Sequence, residues 1–482
     1  MHETRLIRIL KTFSENEFKN FGKFIASPYF STGRDVTPLY KILKSHYPEF
    51  TGKGMEKEQV FSKLGKGKYN EQLMRIMISD LYKLAVEYLR NMSAMEIPVQ
   101  TKLMLTENAL RRRLLFLAEQ QIDEVEETML KDPVDIDYFY HRHGIEMQKS
   151  EYNYLSDVTH YKGSIEKICS EYTIFNFLDM AANHLHNLYT HRKNVNMDYS
   201  GYMLVLMLQN SGLEVIEPLI TGSKDKDVAK IYLYCILSHI NPSDEKYFFK
   251  MKELIFKNLG YLDPSLKVYL LKLYDTLCTK KMFELDFDKF AVESLESKKK
   301  MISEGQFSRQ PPNFISPIFF QSVISTGVEA GDHKWVEKML SSHINDLAPE
   351  HRASFENYFK AEICFLKKDF EGSLSHAGKI DISTFLLKTV VYSLQLRLYY
   401  ELNYVDEALS TIDAFRHFIA NNKKVSAIVS KNRVDFLKFY KKLLMYKNGK
   451  RLHNLEKLKT EKLEPATLQK KWLMEKLNEL KR

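Results

Sequence analysis

The sequence predicts an all-α protein, and three observations carry that expectation. Apolar residues recur at helical spacing along almost the whole chain, and sustained alternation of the strand type is nearly absent. Chain breakers are also scarce: 18 Gly and 13 Pro among 482 residues, about 4% and 3% against typical usages of roughly 7% and 5%. An all-β chain needs a turn every 8 to 12 residues or so, and that shortage excludes it. At roughly 150 residues per domain, the length holds about three domains or one extended helical array. With 44% hydrophobic residues the chain has enough apolar surface to fold.

Residues 1–95 read as a small N-terminal helical domain. Ser14-Glu15-Asn16-Glu17 is a capping box, in which Ser and Glu satisfy each other's free backbone donors. It opens a helix carrying Phe18, Phe21, Phe24 and Ile25 on one face, ended by Ser27-Pro28-Tyr29-Phe30. Thr37-Pro38 starts a second helix that runs to Tyr47-Pro48. A short helix from about Met55 to Leu64 leads through Gly65-Lys66-Gly67-Lys68 into a long one from Tyr69 to about Met92. The stretch Glu96-Ile97-Pro98-Val99 marks the end of this block. With its Phe-rich helices and Tyr47-Pro48-Glu49-Phe50, the block is similar to a group of uncharacterised bacterial helical proteins, a resemblance that implies no activity.

Residues 99–302 read as an irregular array of longer helical hairpins. Asn241-Pro242-Ser243 places an N-cap at Ser243, followed by Tyr247, Met251, Leu254 and Ile255 on one face and a stop at Gly260. Asp263-Pro264 then caps and starts the next helix, because proline at the first helical position lacks only an amide that would have had no partner. The most turn-rich stretch, Ser303 to Asn313, closes this block.

Residues 313–420 contain an internal repeat. Three segments share a helix, a short turn and a second helix: Phe320 to Leu340, Tyr358 to Ala377, and Tyr392 to Phe415. Their equivalent positions Val336, Ser373 and Ala408 stand 37 and 35 residues apart. In the third, Tyr392 and Tyr399 are large aromatics of the first helix, Ala408 is a small residue of the second, and Ile412 is bulky. Over about residues 314–420 this pattern resembles the tetratricopeptide repeat, with Leu396 where the family prefers Gly and Ala420 where it prefers Pro. The resemblance implies stacked helical hairpins forming an α-solenoid that binds a protein or peptide partner.

The formal charge of +9 is unevenly placed. Residues 1–95 carry +6, residues 96–420 carry −9 and residues 421–482 carry +12. The last block reads as a basic helical C-terminal cap of three helices, near 430–446, 450–462 and 466–480. Lys438, Lys441, Lys442, Lys447, Lys450, Arg451, Lys457, Lys470 and Lys471 are its candidate contacts for a polyanion or an acidic partner. Lysine outnumbers arginine here, which favours a solvated cap over bidentate phosphate recognition.

Other motifs point away from chemistry. The four cysteines at 169, 235, 278 and 364 form no C-x-x-C pair and sit in apolar periodic segments, as buried free thiols do. His141, His143, His184, His186 and His191 lack the i, i+3 or i, i+4 spacing of zinc ligands. Gly52-Lys53-Gly54 and Gly65-Lys66-Gly67-Lys68 lack phosphate-loop spacing and a preceding strand. Tyr69, Asn70, Gln72 and Arg75 would begin a recognition helix if the N-terminal block were a helix-turn-helix. Leu73, Met74, Met77, Leu81, Leu84 and Val86 instead read as packing along that whole helix. No signal peptide or apolar run of ~20 residues occurs, so a cytoplasmic protein with no membrane partner is expected. The sequence thus predicts a non-enzymatic interaction scaffold without cofactor or metal. The alternative is a nucleic-acid-associated regulator acting through the basic ends.

Overall fold

Helix boundaries follow the capping chemistry written in the chain. The computed structural model describes residues 4–30, 33–65, 67–156, 164–194, 201–222, 224–305, 309–310, 314–381, 385–422, 427–449 and 469–480. The first helices are α1 (Arg5–Leu10), α2 (Glu15–Ile25), α3 (Thr37–Lys44), α4 (Lys57–Lys63), α5 (Glu71–Glu96), α6 (Pro98–Arg111), α7 (Leu115–Lys131) and α8 (Tyr138–Ser156). They are followed by α9 (Ser164–Asn194), α10 (Gly201–Gln209), α11 (Lys224–Ile240), α12 (Lys246–Asn258), α13 (Pro264–Glu284) and α14 (Phe287–Ser303). The last are α15 (Pro317–Glu329), α16 (His333–His343), α17 (Pro349–Leu366), α18 (Phe370–Ala377), α19 (Phe385–Leu402), α20 (Val405–Asn421), α21 (Ala427–Lys447) and α22 (Lys470–Glu479). Extended pairing among the described residues is limited to a two-residue antiparallel ladder, Arg309–Gln310 against Phe314–Ile315, within the turn-rich stretch before α15. The protein is therefore helical, as its periodicity predicts.

The chain divides into two units, residues 1–128 with 147–161 and residues 129–146 with 162–482. In the first, the Ser14 capping box forms as expected, and Phe18, Phe21 and Ile25 of α2 enter a core with Tyr40, Phe50, Met74, Leu81 and Tyr88. Tyr40 donates to the Phe18 carbonyl at 2.8 Å and Tyr47 to the Phe13 carbonyl at 2.7 Å, so the aromatics pin backbone as well as fill space. The Glu96-Ile97-Pro98 signal falls at the joint between α5 and α6, both of which lie in this unit.

In the second unit, α11 packs among α9, α12 and α13, and each of its residues from Ile231 to Ile240 is buried. Asp263 caps α13, accepting from the Ser265 amide at 2.7 Å. Ser243 does not cap α12. That helix starts three residues later with Glu245 as its N-cap, which makes no side-chain cap bond, while Asp244, one residue earlier, accepts from the Lys246 amide at 2.8 Å. The charge of the Asp244 carboxylate suits its place beside a helix N-terminus.

One turn recurs. In α15/α16, α17/α18 and α19/α20 a left-handed residue stands at the bend: Gly331 (φ 79°), Lys368 (φ 62°) and Asn403 (φ 61°). In each, the next amide reaches back five residues: Asp332 to Gly327, Asp369 to Cys364 and Tyr404 to Tyr399, at 3.0, 2.9 and 2.9 Å. This is the Schellman geometry, which satisfies carbonyls left over at a helix end. In all three, the residue nine places after that carbonyl is the one where the second helix meets the first: Val336, Ser373 and Ala408, each buried. A fourth hairpin, α6/α7 in the first unit, has the same turn, with Arg113 at φ 58° and the Leu114 amide on the Ala109 carbonyl at 2.9 Å. Ala118, nine residues on, clusters with Ala109.

The helices approach closely at these points. Ser373 donates to the Ala361 carbonyl at 2.7 Å. A Cβ on Gly327 would stand 2.1 Å from the Val336 methyl, so the small residue of the first hairpin is on its first helix. In an open helix Gly→Ala stabilises by about 1 kcal/mol. Here Gly327→Ala is expected to destabilise by about 1–3 kcal/mol in denaturant unfolding, the cost of overpacking. Adding Val336→Ala should relieve the clash, leaving the double variant more stable than Gly327→Ala alone.

Candidate functional site

The C-terminal lysines take up separate posts. Lys438 lies 3.6 Å from Asp435 on its own helix, and Lys441 is exposed on α21. Lys442 is half-buried on the same helix, and Lys470 is half-buried at the start of α22. Lys447 places its ammonium 4.5 Å from the Tyr400 ring centroid and donates to the Tyr400 carbonyl, with its pKa lowered by burial. Lys471 pairs with Asp288 at 2.8 Å. Lys450, Arg451 and Lys457 lie outside the described residues, as does the expected helix near 450–462.

The first helices of the three C-terminal hairpins are joined by a polar chain. Ser325 of α15 and Tyr358 of α17 share a hydrogen bond of 3.0 Å. One turn along α17, Glu362 accepts from Arg397 of α19 at 2.8 Å, and both side chains are buried. The Arg397 guanidinium lies 4.5 Å from the Phe365 ring centroid. One turn along α19, Glu401 holds Lys476 of α22 at 2.8 Å and accepts from the Trp472 indole at 3.3 Å.

A second polar group lies where α9, α11 and α13 meet. Tyr232 of α11 is hydrogen-bonded to Asp179 of α9, and Tyr269 of α13 lies within electrostatic reach of both. The ring centroids of His186 and Tyr269 are 6.4 Å apart, and those of Tyr189 and His239 are 6.3 Å apart. Lys280 donates to the His239 carbonyl at 2.7 Å. Burial pushes the Asp179 carboxyl up to about 7, against the opposing Tyr232 hydrogen bond and helped by Asp137. Burial also holds the His239 imidazole well below its usual range, with Lys280, His186 and Lys281 adding to the effect. Near neutral pH this seam is thus weakly charged on α9 and neutral at His239.

The remaining sequence motifs fall elsewhere. Cys235 and Cys278 are buried free thiols and Cys364 is a half-buried one, while the Cys169 side chain lies outside the described residues. His184 is exposed, and no three His, Cys, Asp or Glu side chains converge on one point among the described residues. Asn70 caps α5 by accepting from the Leu73 amide at 2.9 Å, and Arg75 pairs with Glu71 at 2.7 Å. With Met74, Met77, Leu81 and Ala85 buried, α5 packs along its length. A 480 Å³ surface cavity is lined by Gly222, Asp227, Lys257, Asn258, Gly260 and Tyr261. Its Asp227 meets Lys257 and Asn258 at 3.3 Å each. Among the described residues no helix is long and apolar enough to cross a membrane.

Comparison of the chain with protein-family models, with curated proteins and with solved structures finds no match.

Sequence reasoning misses the three-helix seam and the fourth hairpin. The seam's members Asp179, Tyr232 and Tyr269 lie on three separate helices and share no spacing along the sequence. The hairpin's trace is the pair Ala109 and Ala118, at the spacing of Tyr399 and Ala408.

Two outcomes test these groups. Arg397→Met leaves Glu362 buried without its partner and is expected to cost about 3–5 kcal/mol of stability; combining it with Glu362→Leu should return most of that in denaturant unfolding. Asp179 faces Tyr232, Tyr269 and Asp137, and its folded pKa lies above the unfolded value of about 3.9. The native state therefore binds the extra proton, and stability falls as pH rises from about 4 to about 7. Asp179→Asn should match the parent at pH 4 and exceed it above pH 7, in thermal unfolding followed across pH.

Proposed function

We propose that this protein is a non-enzymatic interaction scaffold of the α-solenoid type, built on tetratricopeptide-like hairpins, that binds a protein or peptide segment. The observation that carries this reading is the recurrence of one turn in four hairpins, each with a close helix–helix approach nine residues after the same carbonyl. Identical turns give neighbouring hairpins the same internal geometry, so their first helices line up in a row, as α15, α17 and α19 do. Such rows present extended surfaces that bind by shape and a few anchors. The free thiols of Cys235, Cys278 and Cys364 suit a reducing compartment, and a cytoplasmic setting belongs to this reading.

The competing reading is nucleic-acid association through the basic ends. Capture from native lysate on the full chain, at 50 and 200 mM salt with and without nuclease, separates the two. A protein recovered in stoichiometric amount under all four conditions is the expected result. Recovery of nucleic acid alone, released at 200 mM salt, would establish the competing reading. Six phosphate contacts would lose ~10³-fold in affinity over that range.

A further inference from the structure

The C-terminal helix α22 is seated like a docked peptide. Its buried face is Trp472, Leu473, Lys476 and Leu477. These enter an apolar groove between α19 and α21 that includes Leu396, Tyr400, Tyr440 and Leu444. Trp472 stacks on Tyr440, with ring centroids 6.0 Å apart, and meets Tyr400 edge-on at 5.3 Å. At the rim, Lys476 lies between Glu401 and its own helix's Glu479, 2.8 Å from each. Apolar anchors and one complementary charge pair are the elements of helix-in-groove recognition.

Two further features set α22 apart from the array. Its N-cap, Gln469, is left-handed (φ 53°) and makes no side-chain cap bond, and the helix has only 10 residues. Isolated helices shorter than ~12–15 residues are marginal in water, so docking supplies its stability. The groove, by contrast, is tied together without α22. Tyr440 donates to the Leu396 carbonyl at 2.6 Å, and Lys447 of α21 donates to the Tyr400 carbonyl. These bonds join α19 directly to α21.

We infer that the α19/α21 groove is a docking site for a short amphipathic helix of a partner protein, one with an aromatic-Leu pair and, one turn on, a Lys-Leu pair, and that α22 occupies it in cis. The inference rests on the scaffold reading and names the partner's chemistry. The chain's own helix then acts as a competitor that a partner must displace.

The test uses a fluorescein-labelled peptide of residues 469–480, titrated by fluorescence anisotropy against three proteins: the full chain, the chain ending at Leu468, and full-length Trp472→Ala. Far-UV circular dichroism reports their folding. The truncated chain and Trp472→Ala should each bind at least tenfold tighter than the full chain, and Glu401→Gln in the truncated chain should weaken binding at least tenfold. Equal binding by all three folded proteins would overturn the proposal. Hydrogen exchange on the unaltered chain needs no variant to fold: amides of 473–479 should exchange at least 100-fold faster than those of α19 and α21, and equal rates would sink it. If lysate capture yields a protein partner while the peptide fails to bind, the groove is wrong and the scaffold stands. If the peptide binds but capture yields nucleic acid alone, the scaffold reading fails instead.

Discussion

A single hydrogen bond orders much of this molecule: the amide just past a helix end, reaching back five residues to a carbonyl that would otherwise lack a partner. It forms only if the residue before it adopts a left-handed backbone. Gly331 does so freely, whereas Arg113, Lys368 and Asn403 do so against a Cβ penalty of about 1–2 kcal/mol for ordinary residues. The satisfied carbonyls offset that cost. Once the bend is fixed, so is the phase between the two helices, and the residue nine places beyond the accepted carbonyl must face the first helix. Hence Ala118, Ser373 and Ala408 are small, and where Val336 is larger, Gly327 opposite it has no side chain at all.

Charge is used in the interior as much as on the surface. Lys281 is fully buried and donates to the Pro242 and Asp244 carbonyls at 2.6 and 3.3 Å. Lys298, also buried, meets Asp275 at 2.6 Å and Ser294 at 2.7 Å. At the C-terminus, Lys476 and Lys471 find Glu401 and Asp288, both from the acidic residues 96–420. Part of the +12 carried by residues 421–482 is therefore spent on the chain's own negative middle. The exposed Lys471–Asp288 pair contributes little, and the nearly buried Lys476–Glu401 pair sets the seating of α22.

The helical class was legible because period and caps are local: Ser14, Asn70 and Asp263 each act on an amide two or three residues away. At Ser243 the expected cap does not form, because the helix begins three residues later, after Glu245. The three C-terminal hairpins could be read from the equivalent positions Val336, Ser373 and Ala408, spaced 37 and 35 apart. The turn of the fourth lies more than 200 residues before those of the other three, so no neighbouring unit of similar spacing pointed to it. Neither polar group could be read, since their members come from separate helices. Glu362 and Arg397 are 35 residues apart, and Asp179, Tyr232 and Tyr269 come from three elements. Within its own helix each looks like a stray polar residue, and only the packing makes it a partner.

That packing gives the polar chain a role that apolar contacts cannot fill. Between packed helices, leucine and phenylalanine surfaces tolerate sliding, because a slip of one turn replaces one apolar neighbour by another. For Glu362 and Arg397 a one-turn slip, ~5.4 Å, would strand two buried charges at a cost of several kcal/mol. Ser325 with Tyr358 and Glu401 with Lys476 repeat that constraint at the neighbouring steps. Similar turns make the hairpins alike, and the polar contacts between α15, α17, α19 and α22 fix the register in which these helices pack.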